Sequence, residues 1–199
     1  MSVLKEILLA SKSPRRRDLL GKLFHNFQVV KIECDEDFPS SMEILSVAEY
    51  LAEKKSRSYQ NLQDNQILIT ADTTVILGDT IFNKPSTKEE GRHMLSSIMN
   101  NTHSVVTGVC LRDRNNCIHF SEITEVEMNP LTKGEIDYYL DNFKFSDKAG
   151  SYGIQDWLGF VAVKQIRGDY YNVMGLPLNK IYHSFRLNWP TYSFFLTHL

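Results

Sequence analysis

The sequence contains few of the residues that define metal-binding, disulfide-stabilised or membrane-spanning proteins. Its 199 residues include only three cysteines, without a C-x-x-C pair, and six histidines, without an H-E-x-x-H motif. These patterns argue against a zinc site and a disulfide framework. Cys110 and Cys117 flank a predicted turn, but reduced cysteines that fill apolar space are the simpler interpretation. No segment approaches the roughly 20 apolar residues of a membrane span. We therefore expect a cytoplasmic protein with no membrane partner.

The sequence also lacks an excess of charge of either sign. It has 22 Lys and Arg against 24 Asp and Glu, a net charge of −2. A nucleic-acid-binding protein is usually basic, so we expect no nucleic-acid partner. The G-x-x-x-x-G-K-[ST] motif is missing, which excludes a P-loop protein. The apolar run near the N-terminus is short and predicts a first strand rather than a signal peptide.

Strand-like and helix-like segments alternate along the chain. Apolar runs at residues 7–10 and 66–71 predict buried strands, and residues 42–59 show helical spacing of apolar residues. A further strand is predicted at 160–166 and a closing helix at 178–185. This alternation, with hairpins included, predicts an α/β fold in which helices flank a mixed sheet.

The segment from residue 7 to residue 20 joins a strand, a hydroxyl-rich loop and the start of a helix. Ser13 is a good N-cap, and Pro14 stands where a first helical residue tolerates proline. Arg15, Arg16 and Arg17 then fall in the first turn, where the helix already carries positive partial charge. Such charge is mildly destabilising unless an anion binds there, so the pattern favours a phosphate-binding site. A solvated basic turn is the alternative.

Carboxylates interrupt apolar sequence at one strand and gather in one loop. Asp72 lies among apolar strand residues, where a carboxylate is costly unless a cation compensates it; an exposed strand end is the alternative. The acidic loop Glu-Cys-Asp-Glu-Asp contains Glu36. The simplest interpretation of such a run of charges is a solvent-exposed face. One of its carboxylates paired with Asp72 would nevertheless suit a hard cation such as Mg²⁺ bound together with phosphates.

Two further polar segments carry candidate binding residues. Lys84 follows a predicted hairpin, although most lysines in such positions are simply solvated. Residues 146–159 combine Asp147, Gln155 and three glycines with little periodicity. Glycines permit close approach of the backbone, and such a loop with buried-type side chains is suited to line a ligand.

Taken together, five segments resemble the Maf nucleotide pyrophosphatases, relatives of the inosine triphosphate pyrophosphatases. The segments are LASKSPRRRDLL, ADTTVILGDTIFNKP, HSVVTGV, SDKAGSYGIQ and GDYYNVMGLPL, in the order of the family. The resemblance implies an elongated mixed β-sheet and two lobes around a nucleotide cleft. We expect one Maf-like domain over residues 1–187 and a C-terminal tail over 188–199.

The resemblance also implies an activity: metal-dependent hydrolysis of nucleoside triphosphates to monophosphate and pyrophosphate, with Mg²⁺ or Mn²⁺ as cofactor. The D-K-A-G-x-Y-G-I-Q branch of the family acts on dTTP and UTP. Positions linked to pyrimidine choice match Arg15, Thr73 and Gln155, and Asp72 matches the proposed general base. Other matched pocket positions are Ser13, Glu36, Lys55, Lys84 and Asp147, with Glu36 and Asp72 expected to hold the metal.

Several alternatives remain open at this point. The sequence does not separate Asp72 from Asp147 as the base. A nucleotide-binding regulator of septum formation without catalysis, or a pyrophosphatase for another or a modified nucleotide, would share these residues. A homodimer is expected only by analogy with the family. Asp156 follows Gln155 where the family commonly has glycine, and the aromatic tail either covers an apolar patch or mediates association.

Overall fold

In the computed structural model, which describes residues 5–190 and 192, a seven-stranded mixed sheet has the order β2-β1-β3-β5-β6-β7, with β4 paired to β3. The strands are β1 (Glu6–Leu9), β2 (Gln28–Val29), β3 (Gln66–Leu77), β4 (Thr80–Phe82), β5 (Thr102–Arg112), β6 (Cys117–Met128) and β7 (Val163–Arg167). The α-helices are α1 (Pro14–Leu23), α2 (Val47–Ser58), α3 (Lys88–Ile98), α4 (Lys133–Asn142), α5 (Trp157–Ala162), α6 (Tyr170–Val173) and α7 (Leu178–Asn188).

The chain divides into two compact units. Unit 1 contains the residues up to Asp72, the segment Thr107–Glu122 and the residues from Gly175 onwards. Unit 2 contains Thr73–Val106 and Ile123–Met174. Strands β3, β5 and β6 each contribute residues to both units.

In unit 1, β1 is the parallel partner of both β2 and β3. Its apolar residues are fully buried, as expected of a strand covered on both faces. Helix α2 lies directly on β5. The two backbones are so close that a Cβ atom at Gly108 would overlap the backbone of Ala48. The buried Thr70 hydroxyl donates to the carbonyl of Ala52 at 2.7 Å, which ties the same helix to β3.

In unit 2, the antiparallel pairs β3–β4 and β6–β7 pack with helices α3 and α4. The core contains Leu95 and Ile98 of α3 together with Tyr139 of α4. Gly150 has a φ of 67°, in the left-handed region that favours glycine, and a Cβ there would lie 2.9 Å from a side-chain carbon of Val75. The loop that follows α4 is therefore held closely against β3.

The element predictions are largely confirmed, and the helix N-caps are confirmed in detail. The hydroxyls of Ser13 and Thr132 accept bonds from the backbone three residues on, and Thr132 with Glu135 forms a full capping box. The segment predicted as one helix over residues 42–59 instead begins with a 3₁₀ turn at Ile44–Ser46, and α2 starts at Val47.

One strand prediction is wrong in its first half. Residues 160–162 belong to α5, and only the part from Val163 to Ile166 is extended. The last pairing between β6 and β7 joins Met128 to Val163, so residues 160–162 have no strand partner in this ladder. A short apolar run does not distinguish strand from helix by itself. None of the helices in the described ranges is both long and apolar enough to cross a membrane.

The first residues of the predicted tail pack within unit 1. The Trp189 ring lies 5.0 Å from the Phe185 ring, and Tyr192 meets the rings of Phe24 and Phe185 edge-on. Phe194 and Phe195 lie outside the described residues. The part that is described thus covers the rings of Phe24, directly after α1, and of Phe185 in α7.

Asp113, in the turn between β5 and β6, joins Trp189 to the start of β1. Its carboxylate accepts bonds from Lys5, from the Trp189 indole at 2.7 Å and from the backbone amides of Asn115 and Asn116. Burial alone would raise the pKa of this carboxyl, but these bonds outweigh burial and lower its pKa to about 2. The ionised form therefore stabilises the folded protein.

The depressed pKa of Asp113 predicts a specific acid sensitivity. Its contribution, about 2 kcal/mol, is complete above the unfolded-state pKa of about 4 and is lost as the pH falls through the folded-state pKa. We expect Asp113→Asn to destabilise the protein at pH 6 and to have little effect near pH 2. Denaturant unfolding at both pH values measures this. Asp64→Asn, at an exposed carboxylate paired with neighbouring Arg114, is the control; equal losses at both pH values would contradict the prediction.

Candidate functional site

The three arginines at the start of α1 have three different environments. Arg17 is exposed and Arg15 is half-buried. Arg16 reaches inward, donating from Nη1 to the carbonyl of Ala71 at 2.8 Å and from Nε to the carbonyl of Gly175 at 2.9 Å. The cluster is thus more than a solvated turn, because its middle member joins α1 to β3 and to the segment before α7.

Arg16 also contributes charge near the carboxylates of unit 1. Desolvation lowers the pKa of its guanidinium, while the negative charge of Asp72 acts in the opposite direction and Glu36 adds a smaller effect of the same sign. The guanidinium remains charged, since an arginine stays protonated in proteins. Its carbonyl contact at Ala71 lies one residue before Asp72, so it fixes the backbone at that point of β3.

Asp72, Lys55 and Glu36 come together in unit 1. The Lys55 ammonium donates to Oδ1 of Asp72 and to Oε1 of Glu36, the latter at 2.7 Å. The side chains of Lys55 and Asp72 are only 12% and 11% exposed, whereas that of Glu36 is 53% exposed. The structure thus brings together residues from the acidic loop, α2 and β3, with one cation between two carboxylates.

The two carboxylates are a suitable donor set for a hard cation only when phosphate oxygens complete it. Mg²⁺ is usually bound through one or two carboxylates together with substrate phosphates. Within residues 5–190, no group of three or more His, Cys, Asp or Glu side chains could hold a metal. Glu36 and Asp72 already converge on one positive charge, so the residues fit a divalent ion that arrives with an anionic ligand.

The remaining predicted site residues lie in unit 2. Lys84 is exposed after β4, and Thr73 is half-buried on β3. Asp147 pairs with the ammonium of Lys148 at 3.3 Å. Gln155 stands in a turn before α5, and its Oε1 is buried with no hydrogen-bond partner among the residues that the structure describes.

The inward contacts of Arg16 and Lys148 were not predicted from the sequence. The signal for Arg16 is its spacing: Arg16, Leu19, Leu20 and Leu23 follow the i, i+3, i+4, i+7 pattern of one helix face. An arginine on the apolar face must find acceptors inside the protein. Lys148 shows no such signal, because its segment has no regular periodicity.

These features define a mixed α/β protein with arginines at the start of α1 and with Lys55 and Glu36 gathered at Asp72 of β3. A family model described as Maf-like protein matches residues 6–187. The chain belongs to the Maf family.

Curated relatives match over nearly their whole length. The dTTP/UTP pyrophosphatase of Parabacteroides distasonis is 42% identical over 183 residues, covering 91% of this chain and 95% of the relative. That of Porphyromonas gingivalis is 43% identical over 185 residues, covering 91% and 93%. A solved HAM1 protein from Coxiella burnetii has a TM-score of 0.40 and 13% identity, covering 63% of this chain and 73% of its own.

The two carbonyl contacts of Arg16 predict that lysine cannot replace it. Arg16→Lys keeps the charge but loses the planar fork that reaches both carbonyls. Because partly buried acceptors are then left unpaired, we expect a loss of about 1–3 kcal/mol in the free energy of unfolding, measured with urea. Arg17→Lys, at the exposed neighbour, is the matched control and should change stability by less than about 0.5 kcal/mol. Similar small effects of both substitutions would show that the Arg16 contacts contribute little.

Proposed function

We propose that this protein hydrolyses nucleoside triphosphates, preferentially dTTP and UTP, to the monophosphate and pyrophosphate, with Mg²⁺ or Mn²⁺ as cofactor. The relatives described above are dTTP/UTP pyrophosphatases and match the chain almost end to end. The structural observation that carries the proposal is the Lys55 ammonium between Asp72 and Glu36. A largely buried carboxylate beside a second carboxylate is suited to a divalent cation that binds with a polyphosphate, and a carboxylate can act as a general base toward water.

Binding of the triphosphate would fall to the cationic side chains. Arg15 stands in the first turn of α1, where the helix dipole also attracts anions. Lys55 and Lys84 would add further positive charge to orient and neutralise the phosphates. Ser13, whose hydroxyl caps the helix, would keep the first turn in the geometry that presents its amides.

Asp72 and Glu36 would hold the metal. A bound Mg²⁺ or Mn²⁺ supplies Lewis acidity toward a phosphate oxygen and lowers the pKa of a bound water. Asp72 would take the proton of the attacking water. Its environment favours it over Asp147, because its side chain is 11% exposed and shares Lys55 with Glu36, the other proposed metal ligand, whereas the side chain of Asp147 is 27% exposed.

Gln155 would read the base. A glutamine amide offers one acceptor and two donors. The buried, unpaired Oε1 is suited to accept from the N3–H of uracil or thymine, while Nε2 can donate to O4. Cytosine lacks the N3 proton and carries an amino group in place of O4, so it would leave this amide poorly matched.

The alternative of a nucleotide-binding regulator without catalysis predicts binding but no pyrophosphate release. A pyrophosphate assay on the purified protein separates the two. The cytoplasmic setting, a homodimer and the absence of a nucleic-acid partner remain predictions.

Asp72→Asn is expected to abolish most turnover while nucleotide binding persists. The amide keeps the size of the side chain but cannot accept a proton, and a general base contributes roughly 10²–10⁴-fold to the rate. The measurements are kcat by pyrophosphate release and Kd for UTP by calorimetry. Asp79→Asn, in the exposed turn after the same strand, is the control. A kcat of Asp72→Asn near that of the wild type would refute the assignment.

The proposed role of Gln155 predicts the order of substrates. UTP and dTTP should exceed CTP and the purine triphosphates in kcat/KM, by about 10- to 100-fold if one or two buried groups are left unpaired. Gln155→Ala should remove most of the preference for UTP over CTP. Gln165→Ala, at an exposed position on β7, should leave it unchanged. If CTP or a purine exceeds UTP in the wild type, the pyrimidine assignment is wrong.

A further inference from the structure

Gln155 stands in a tight turn, residues 153–156, that we call the base-reading turn. The amide of Asp156 donates to the carbonyl of Gly153 at 3.0 Å, which closes the turn around Ile154 and Gln155. Ile154 is buried in the core of unit 2 and fixes one side of the turn. The orientation of the Gln155 side-chain amide therefore depends on the contacts made at the two ends of the turn, Gly153 and Asp156.

The side chains of Asp156, Tyr139 and Lys148 form a network at these two ends of the turn. Oδ2 of Asp156 accepts from the hydroxyl of Tyr139 at 3.2 Å and lies 3.3 Å from the ammonium of Lys148. The same Tyr139 oxygen accepts from the backbone amide of Gly153 at 3.1 Å. Tyr139 thus links the first residue of the base-reading turn to the last, and Lys148 neutralises the carboxylate at its end.

The network is largely removed from solvent. The side chain of Lys148 is 7% exposed and that of Asp156 21%, and Tyr139 is fully buried. The Lys148 ammonium also donates to the carbonyl of Lys144 and pairs with Asp147. Its charge is therefore compensated by two carboxylates and one carbonyl, and removing any of them would leave a buried cation under-compensated.

Gly153 shows how close this network lies to the Gln155 amide. A Cβ atom at Gly153 would lie 2.6 Å from Oδ2 of Asp156, 2.8 Å from Nε2 of Gln155 and 2.8 Å from Cε of Lys148. The amide, the carboxylate and the lysine stem therefore surround one backbone position. A displacement of the Asp156 carboxylate would open space directly beside the amide nitrogen of Gln155.

We propose that Asp156, held by Lys148 and Tyr139, is a positioning residue that fixes the Gln155 amide and thereby sets pyrimidine selectivity. This inference rests on the proposed function, because it assigns to the network the orientation of the residue that reads the base. An amide held in one orientation offers its acceptor and donor in a fixed order, which distinguishes uracil from cytosine. A loosened amide can turn over and accept either base.

The test compares kcat/KM for UTP and CTP in the wild type, Asp156→Ala, Gln155→Ala and the double variant. Asp156→Ala is expected to lower the UTP-to-CTP ratio at least about fivefold, through a higher KM for UTP, with kcat changed less than about twofold. In the Gln155→Ala background the same substitution should change the ratio no further, because coupled residues are not additive. Asp156→Asn, which keeps an acceptor for Tyr139, should retain more selectivity than Asp156→Ala.

Asp137→Ala is the matched control, because it removes another partly exposed ion pair of unit 2, the 2.6 Å pair with Arg92. It should leave the ratio unchanged. If Asp156→Ala does not fold, as judged by circular dichroism, Tyr139→Phe decides instead, since it removes only the bridging hydroxyl and is expected to lower the ratio in the same direction.

The outcomes separate the two proposals. A wild type without preference for UTP, or a Gln155→Ala variant with unchanged preference, overturns the assignment of Gln155 and the inference with it. If Gln155→Ala loses selectivity but Asp156→Ala and Tyr139→Phe keep it, the proposed function stands and the positioning role is wrong. The positioning role is also refuted if Asp156→Ala lowers the UTP-to-CTP ratio by the same factor in the wild type and in the Gln155→Ala background.

Discussion

The close packing of α2 on β5 at Gly108 is the constraint on which the geometry of unit 1 depends. Because any side chain there would overlap Ala48, the helix axis can lie near the sheet only while this position remains glycine. The bond from Thr70 to Ala52 then sets the helix along β3. Lys55 follows Ala52 by three residues, close to one helical turn. Its ammonium meets Asp72, two residues after Thr70 on the same strand, as a result of this packing.

The ion pair with Lys55 compensates the negative charge of Asp72 but does not remove it. A carboxylate that is 11% exposed would be strongly destabilising without a cation, and Lys55 supplies one. Lys55 is shared with the exposed Glu36, so its bonds are divided between a fixed and a solvated partner. Under the proposed function, a polyanionic ligand would compete for this lysine, and an accompanying divalent cation would take its place at the carboxylates. The same arrangement therefore stabilises the free protein and leaves the carboxylates open to exchange.

The sequence predicted most of the fold, because its signals are local. N-caps, buried strand runs and the helical spacing of leucines depend on neighbouring residues, and Ser13 and Thr132 cap the predicted helices. The meeting of Asp72 with Lys55 could be anticipated only through resemblance, since it joins residues from separate elements. The burial of Lys148 could not be predicted: its ammonium is compensated by two carboxylates and a carbonyl from the same irregular stretch of chain, and no periodicity there indicates which side chains turn inward. The strand predicted from residue 160 failed because pairing partners, not propensity, decide where an edge strand begins.

The two tryptophans of the sequence are divided between the two units. Trp189 is 5% exposed and bonded to a carboxylate of unit 1, whereas Trp157 stacks near Phe143 in unit 2, directly after the base-reading turn. Indole emission responds to its polar neighbours and to solvent. Variants that retain one tryptophan each would therefore give every unit its own optical signal. With the two variants side by side, the unfolding of each unit could be followed separately, without an added label.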